Sequence, residues 1–360
     1  MSAANNGYPA LDEALVTLAP NGPELRNTNS NHAPMAIEAM CAMGRGADAL
    51  PWLEHYQQQL TPRPPRFERI DQANWQAAIG DPRYTSDWFE FFRNELEERP
   101  WHEVVDAWAA RLAAGTIAAA LHGVIRTGHA ARAIALEVNA QRKRELADGL
   151  AYWAAEYVSL PGKHRSAAHA MPAAAIMRVP TIPIERRGKF TSLTGAVTQL
   201  NSFNEFNSVI DAVDPASRDA SSFVSDLTAT FSRVYLANAR DLLTTIAFIH
   251  TVTGPAALRW MLPCLGREAT ETALMHMWHA SAALYSTFGT APSSENIEPP
   301  SHTAEELIDR AIATGDEHAI KFTEVCLSES ALNPCSEYLA AASHAVAMLS
   351  KTRAEISKKM

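Results

Sequence analysis

Apolar residues return every three or four positions through most of this chain, the spacing that gathers them on one face of a helix. From His32 to Arg45 they are Met35, Ile37, Met40 and Met43, and Gly44 with Gly46 ends the run. Between 85 and 160 the segments SDWFEFFRNELEE, PWHEVVDAWAARLAAG, IAAALHGVIRTGHAARAIALEVN and RKRELADGLAYWAAEYVSL follow one another, rich in helix formers and separated by Gly, Pro or polar residues. The same period resumes at Ser222, passes through LLTTIAFIHTVTG and EATETALMHMWHASAALYSTFG, and holds to Ser350. The pattern predicts an all-α fold in a single domain over 1–360.

The period fails in a few places. Residues 1–30 carry one amphipathic stretch, Leu11 to Leu18, before an Asn/Gly/Pro-rich link, and TPRPPR at 61–66 must be extended. Residues 163–220, with PTIPIERRGKF and short β-branched runs broken by Pro and Gly, predict an irregular insertion or lid with a short hairpin. APSSENIEPPSHT at 291–303 predicts a linker, and 351–360 a flexible tail.

At 360 residues and 47% apolar content the chain can bury a large core. A formal charge of -9 without a Lys/Arg stripe argues against nucleic acid as a partner. No apolar run nears the roughly 20 residues of a spanning helix, and the start lacks a signal-peptide pattern, so no membrane partner is expected. Cys41, Cys264, Cys326 and Cys335 make no CxxC pair, which fits a reducing cytoplasm. HExxH, GxSxG and GxGxxG are all absent, and a Rossmann-bound flavin or nicotinamide is therefore not expected.

The candidate chemistry lies in histidines set among apolar residues on separate helical segments: His32, His122, His250 and His318. Packed together, such helices can aim imidazoles at one interior point and build a metal centre. Taken singly, each histidine is more often a core residue bonded to a carbonyl or, for His250, to Thr251 or Thr253. His32 follows a possible N-cap, Asn31, and His250 precedes Gly254 and Pro255, where a turn or kink is expected. Asp316 reads as an N-cap that places His318 and Lys321 one turn apart on one face. A buried lysine near a helix N-terminus loses its charge readily, and the neutral amine can take up carbon dioxide as a metal-binding carbamate. From spacing alone, an exposed Glu317–Lys321 pair is the commoner arrangement. Arg126 and His129 share the His122 face and, with Tyr285, are candidates for contact with substrate; the other reading of Arg126 is a pair with a core carboxylate. Trp153, Tyr157 and Trp260 are candidate flat walls. His276 and His279 form a rival metal-binding pair.

The segments NHAPMAIEAMCAMGR, DWFEFFRNEL, LHGVIRTGHAARA, ELADGLAYWAAEYVSLPG, AFIHTVTGPAALR, SAALYSTFG and DEHAIKFTEVC, in this order, resemble the questin oxidase-like family over nearly the full chain. The resemblance implies a mostly helical fold and oxidative activity on polycyclic aromatic substrates such as anthraquinones. Fungal members have been described both as NADPH-dependent Baeyer–Villiger-type oxidases and as non-haem iron dioxygenases. Carried over, the iron description makes His32, His122, His250 and His318 ligands of Fe(II), Lys321 a carboxylated fifth ligand, and dioxygen the co-substrate. Where fungal members carry further histidines this chain has Met35, Ala36 and Arg126, which points to a different substrate pocket. The overall expectation is a cytoplasmic oxygenase acting on a small aromatic or quinone-type substrate. The alternatives are an NADPH-dependent oxidase without metal, for which no motif speaks, and a non-enzymatic helical protein that holds a hydrophobic ligand.

Overall fold

A computed structural model describes residues 8–165, 170–293 and 302–357, with side chains to Lys351. Most of the expected linker at 291–303 lies outside the described residues. The fold is all-α apart from one two-stranded sheet. The chain divides into two compact units, 1–159 with 257–273 and 160–256 with 274–360.

The first unit opens with α1 (Tyr8–Leu18), strand β1 (Asn21–Leu25), α2 (Ala33–Ala42), α3 (Gly46–Tyr56) and β2 (Leu60–Pro62). The strands pair antiparallel, Asn21 opposite Pro62 and Leu25 opposite Leu60. The short α4 (Trp75–Ala78) leads into α5 (Thr85–Glu98), α6 (Trp101–Leu112), α7 (His122–Leu136) and α8 (Ala140–Ala155). Trp88 and Phe92 of α5 pack against Trp108 of α6 at ring separations of 5.6 and 4.9 Å. Two glycines let α7 and α8 touch backbone to backbone. A Cβ on Gly123 would lie 2.6 Å from the Trp153 Cα, and one on Gly149 would lie 2.9 Å from the Thr127 nitrogen.

In the second unit the region expected to be irregular folds into short helical turns. These are α9 (Pro172–Ala175), α10 (Leu193–Val197) and 3-10 stretches that include Asn204–Ala212. Among its described residues there is no strand. The short hairpin expected there does not form among those residues; the strand pairing joins 21–25 to 60–62, and β2 takes in Thr61 and Pro62 at the start of the Pro-rich run. Then come α11 (Ala220–Asn238), α12 (Leu242–Met261), α13 (Arg267–Phe288), α14 (Ala304–Thr314), α15 (Glu317–Leu332) and α16 (Ser336–Ser357). The chain leaves this unit within α12 and returns within α13. Helix α16 runs past Ser350, where the pattern placed the start of a tail. A buried hydrogen-bond set fixes three of these helices, with Thr228 of α11 bonded to Glu329 of α15 (2.9 Å) and Tyr338 of α16 (2.7 Å).

Two local signals place the start of α15. Gly315 ends α14 with φ 63°, a left-handed geometry that glycine adopts without strain. Asp316 then caps α15, its Oδ1 accepting the N–H of His318 at 2.8 Å and of Ala319 at 3.3 Å.

Candidate metal centre

His32 occupies the N-cap position of α2, and the Asn31 side chain accepts the Ala33 N–H at 3.1 Å. The backbone N–H of His32 donates to the Tyr56 hydroxyl at 3.0 Å. His122 is the first residue of α7 and is reached through an unusual turn. Ala119, Ala120 and Leu121 have φ of 45°, 56° and 70°. Left-handed geometry costs a non-glycine residue about 1–2 kcal/mol, so three in succession persist only where surrounding packing imposes them. Leu121 is fully buried there.

That turn brings the Ala119 carbonyl 2.5 Å from His122 Nδ1. A carbonyl only accepts, so Nδ1 carries the proton and Nε2 the lone pair. His122 Nε2 lies 2.6 Å from Nε2 of His32, with the rings edge-on at 4.5 Å and 81°. Two imidazoles bound at right angles to one metal, with bonds of about 2.1 Å, would have nitrogens roughly 3 Å apart. The pair is near that spacing.

His250 is buried in the middle of α12, which continues unbroken through Gly254 and Pro255. The kink expected there does not end the helix. The Thr251 and Thr253 hydroxyls donate to the carbonyls of Phe248 (2.7 Å) and Ile249 (3.1 Å), so their hydrogens are spent within the helix. His318 of α15 faces His250 with ring centroids 5.5 Å apart. Its Nδ1 lies 3.5 Å from Asp316 and 3.9 Å from Glu317, carboxylates that favour a proton on Nδ1 and leave Nε2 for a ligand. Burial works against the Asp316 charge, but the hydrogen bonds and charge of His318 outweigh it and hold its pKa below the usual range.

Lys321, one turn after His318, is completely buried and its Nζ has no hydrogen-bond partner among the described residues. Burial lowers its pKa to about 7, against the opposing pull of Glu317 and Asp316. The exposed Glu317–Lys321 pair that spacing favoured therefore does not form: Lys321 points inward.

One ring nitrogen from each of His32, His122, His250 and His318 lies within 4.8 Å of the others, and all four residues are buried. This is a histidine cluster that could hold a metal ion. Asp316, Glu317 and His318 form a second possible group, less buried and sharing His318.

Of the residues expected to contact substrate, Arg126 and His129 are tied to buried carboxylates. Arg126 forks onto Glu145 of α8, Nε to Oε1 at 2.6 Å and Nη2 to Oε2 at 2.8 Å, with Asp148 at 3.7 Å. Burial works against its charge, but Glu145 more than offsets this and keeps the guanidinium protonated. His129 gives Nδ1 to Glu38 of α2 at 2.7 Å, and its ring meets the Trp260 ring edge-on at 4.8 Å. Burial would raise the Glu38 pKa, yet Arg132 and His129 lower it to about 2. Tyr8 also donates to Glu38 at 2.7 Å, and Arg132 stacks over Trp260 at 3.7 Å. Trp153 donates to the Gly115 carbonyl at 3.1 Å, and the Tyr157 ring packs on Gly115. Tyr285 is buried on α13, with burial raising its pKa.

Sequence reading did not single out Glu38 or Glu145. Each was visible as an acidic residue in a buried face, Glu38 as the lone charge within APMAIEAMCAM. Their partners lie 91 and 19 positions away, and no spacing rule links the first.

Arg126→Leu should lower stability by about 3–5 kcal/mol, because it leaves Glu145 buried without its cation. Adding Glu145→Leu should recover much of that loss. Urea unfolding of the two variants measures both. If the single variant kept full stability but bound a substrate analogue weakly, Arg126 would be a substrate contact instead.

No curated protein matches this sequence. The family comparison gives one match, to the Questin oxidase-like model over residues 29–326. That span takes in His32, His122, His250, His318 and Lys321 together with α2 through most of α15. A match over that much of its length, holding all four clustered histidines, means that the chain belongs to the Questin oxidase-like family.

Proposed function

We propose that this protein is a non-haem iron(II) oxygenase that uses dioxygen to cleave or oxygenate an aromatic or quinone-type polycyclic ring. Family membership implies an oxidoreductase, and an oxygenase acting on polycyclic aromatics. The observation that carries the finer reading is the cluster of four buried histidines with a buried lysine, one turn from the last of them, whose amine has no hydrogen-bond partner among the described residues. Imidazole donors suit iron, zinc, copper and nickel, and an oxygenase needs a metal that changes oxidation state.

The residues fit such an ion. His122 has its lone pair on Nε2, the nitrogen nearest His32. Neutral imidazoles need no proton displaced, and buried walls keep bulk water from competing for the metal. In this reading His32, His122, His250 and His318 are the imidazole ligands, and Lys321 as a carbamate supplies one anionic oxygen. An iron ion held by these residues would supply the redox chemistry that activates dioxygen. Arg126 and His129 act as positioning residues, tying α7 to α8 through Glu145 and to α2 through Glu38 and so fixing where His122 and His32 point. Tyr285, a phenol kept protonated by burial, is the hydroxyl donor proposed for the substrate oxygen. The test is metal analysis of protein purified without added metal, joined to oxygen-electrode measurements with a hydroxyanthraquinone. About one iron per chain and substrate-dependent oxygen uptake are expected. Protein that lacks metal, or that consumes NADPH with bound flavin, would overturn the reading.

A further inference from the structure

Another group of side chains of metal-ligating type lies within the second unit, where three pieces of chain meet. The segment 161–165 runs along the 3-10 stretch Asn204–Ala212. Gly162, with φ 111°, sits so close that a Cβ would be 2.5 Å from the Asn207 carbonyl. Beyond it His164 gives Nδ1 to Asp211 at 2.7 Å, and the Arg165 N–H donates to the same oxygen at 2.9 Å. The 3-10 stretch in turn rests on α13. Phe206 stacks on the His279 ring at 5.0 Å and 9°, and the Val209 carbonyl accepts from Trp278 Nε1 at 2.8 Å. His276, one turn before His279, has its ring 6.5 Å away.

His279 carries the argument. It is 2% exposed, one ring nitrogen bonds the Pro161 carbonyl, and Nε2 has no hydrogen-bond partner among the described residues. Because a carbonyl only accepts, Nδ1 holds the proton and Nε2 is a buried, unused lone pair. A metal-ligating histidine has this arrangement, one nitrogen anchored on a carbonyl and the other open. Burial lowers the pKa of His279 to about 3 and of His276 to about 4, with the neighbouring His276 and His164 adding to the effect in turn. Both imidazoles are thus neutral at neutral pH, the form that binds metal.

We propose that His164, Asp211, His276 and His279 form a second divalent-metal site of the zinc type, with three imidazoles and one carboxylate around a tetrahedral ion. It shares no residue with the four-histidine cluster, and its donors are not gathered as tightly as those of that cluster. Closing the site requires His164 to turn from Asp211 onto the ion, and its side chain is 41% exposed and has room to do so. The ion would then clasp the 161–165 segment and the 3-10 stretch to α13.

The test uses the full chain, stripped of metal and titrated with zinc against a chromophoric chelator. Two ions per chain are expected. His250→Ala should lose one, and His164→Asn or His276→Asn the other, each with affinity falling more than about 100-fold. The half-exposed His164 tolerates replacement without disturbing the core, so a folding failure in the His276 variant leaves the question decided by His164→Asn. Anomalous scattering at the zinc edge should place density beside His279 Nε2. One ion per chain in the unaltered protein, or a second ion that survives both asparagine variants, overturns the proposal. The iron reading is judged separately, on the ion lost with His250.

Discussion

His250→Ala should remove the iron almost completely, from about one iron per chain to less than about a tenth of that. Losing a group that merely orients a ligand costs about 10 to 100-fold in metal affinity, and losing the ligand itself costs more. His250 is the sharpest choice of the four because it sits mid-helix in α12, where the backbone cannot shift to let another donor replace it. The same result is expected, by elemental analysis, for His32→Ala, His122→Ala and His318→Ala. Each variant should also lose the stability that bound metal confers, about 2.7 kcal/mol when free metal is 100 times its dissociation constant. That loss should vanish when both proteins are compared metal-free. Full iron retention by all four variants would move the iron centre elsewhere, with His276 and His279 the next residues to alter.

The helices and the four histidines were legible because both depend on local pattern. A period of 3.6 residues sets which face is buried, and a histidine within such a face is drawn inward with it. Pairing across the sequence was not legible. A core carboxylate was one of the two readings of Arg126, but nothing in the sequence marks Glu145 as that partner, and nothing near His129 reveals Glu38. The Ala119–Leu121 turn was equally hidden, because alanine and leucine are poor left-handed residues and their conformation is imposed by packing alone. In 163–220 the prolines that mark the region as irregular break long helices but permit the short helical turns that form among its described residues.

Lys321→Ala should abolish turnover, with partial recovery when formate or acetate is added to fill the space of the missing carboxylate. The expectation rests on position and burial together. Lys321 follows His318 by one turn, is completely buried, and has no hydrogen-bond partner for its amine among the described residues. A buried ammonium left in that state would be costly, and the low pKa, about 7, reflects that cost. Folding therefore favours the neutral amine. In the metal-free protein Lys321→Met should be stabilising below pH 7, where the folded chain must carry the buried charge. The gain should shrink as pH rises from about 7 toward the unfolded value of roughly 10.4, because the folded amine is then already neutral. With metal present the order reverses, since the amine is trapped as its carbamate and methionine offers no equivalent oxygen. Labelled bicarbonate supplied during metal loading should give a carbamate resonance in the unaltered protein and none in Lys321→Met. An unmodified amine in the metal-loaded protein, with turnover intact in Lys321→Ala, would eliminate the fifth ligand and leave four imidazoles to hold the ion alone.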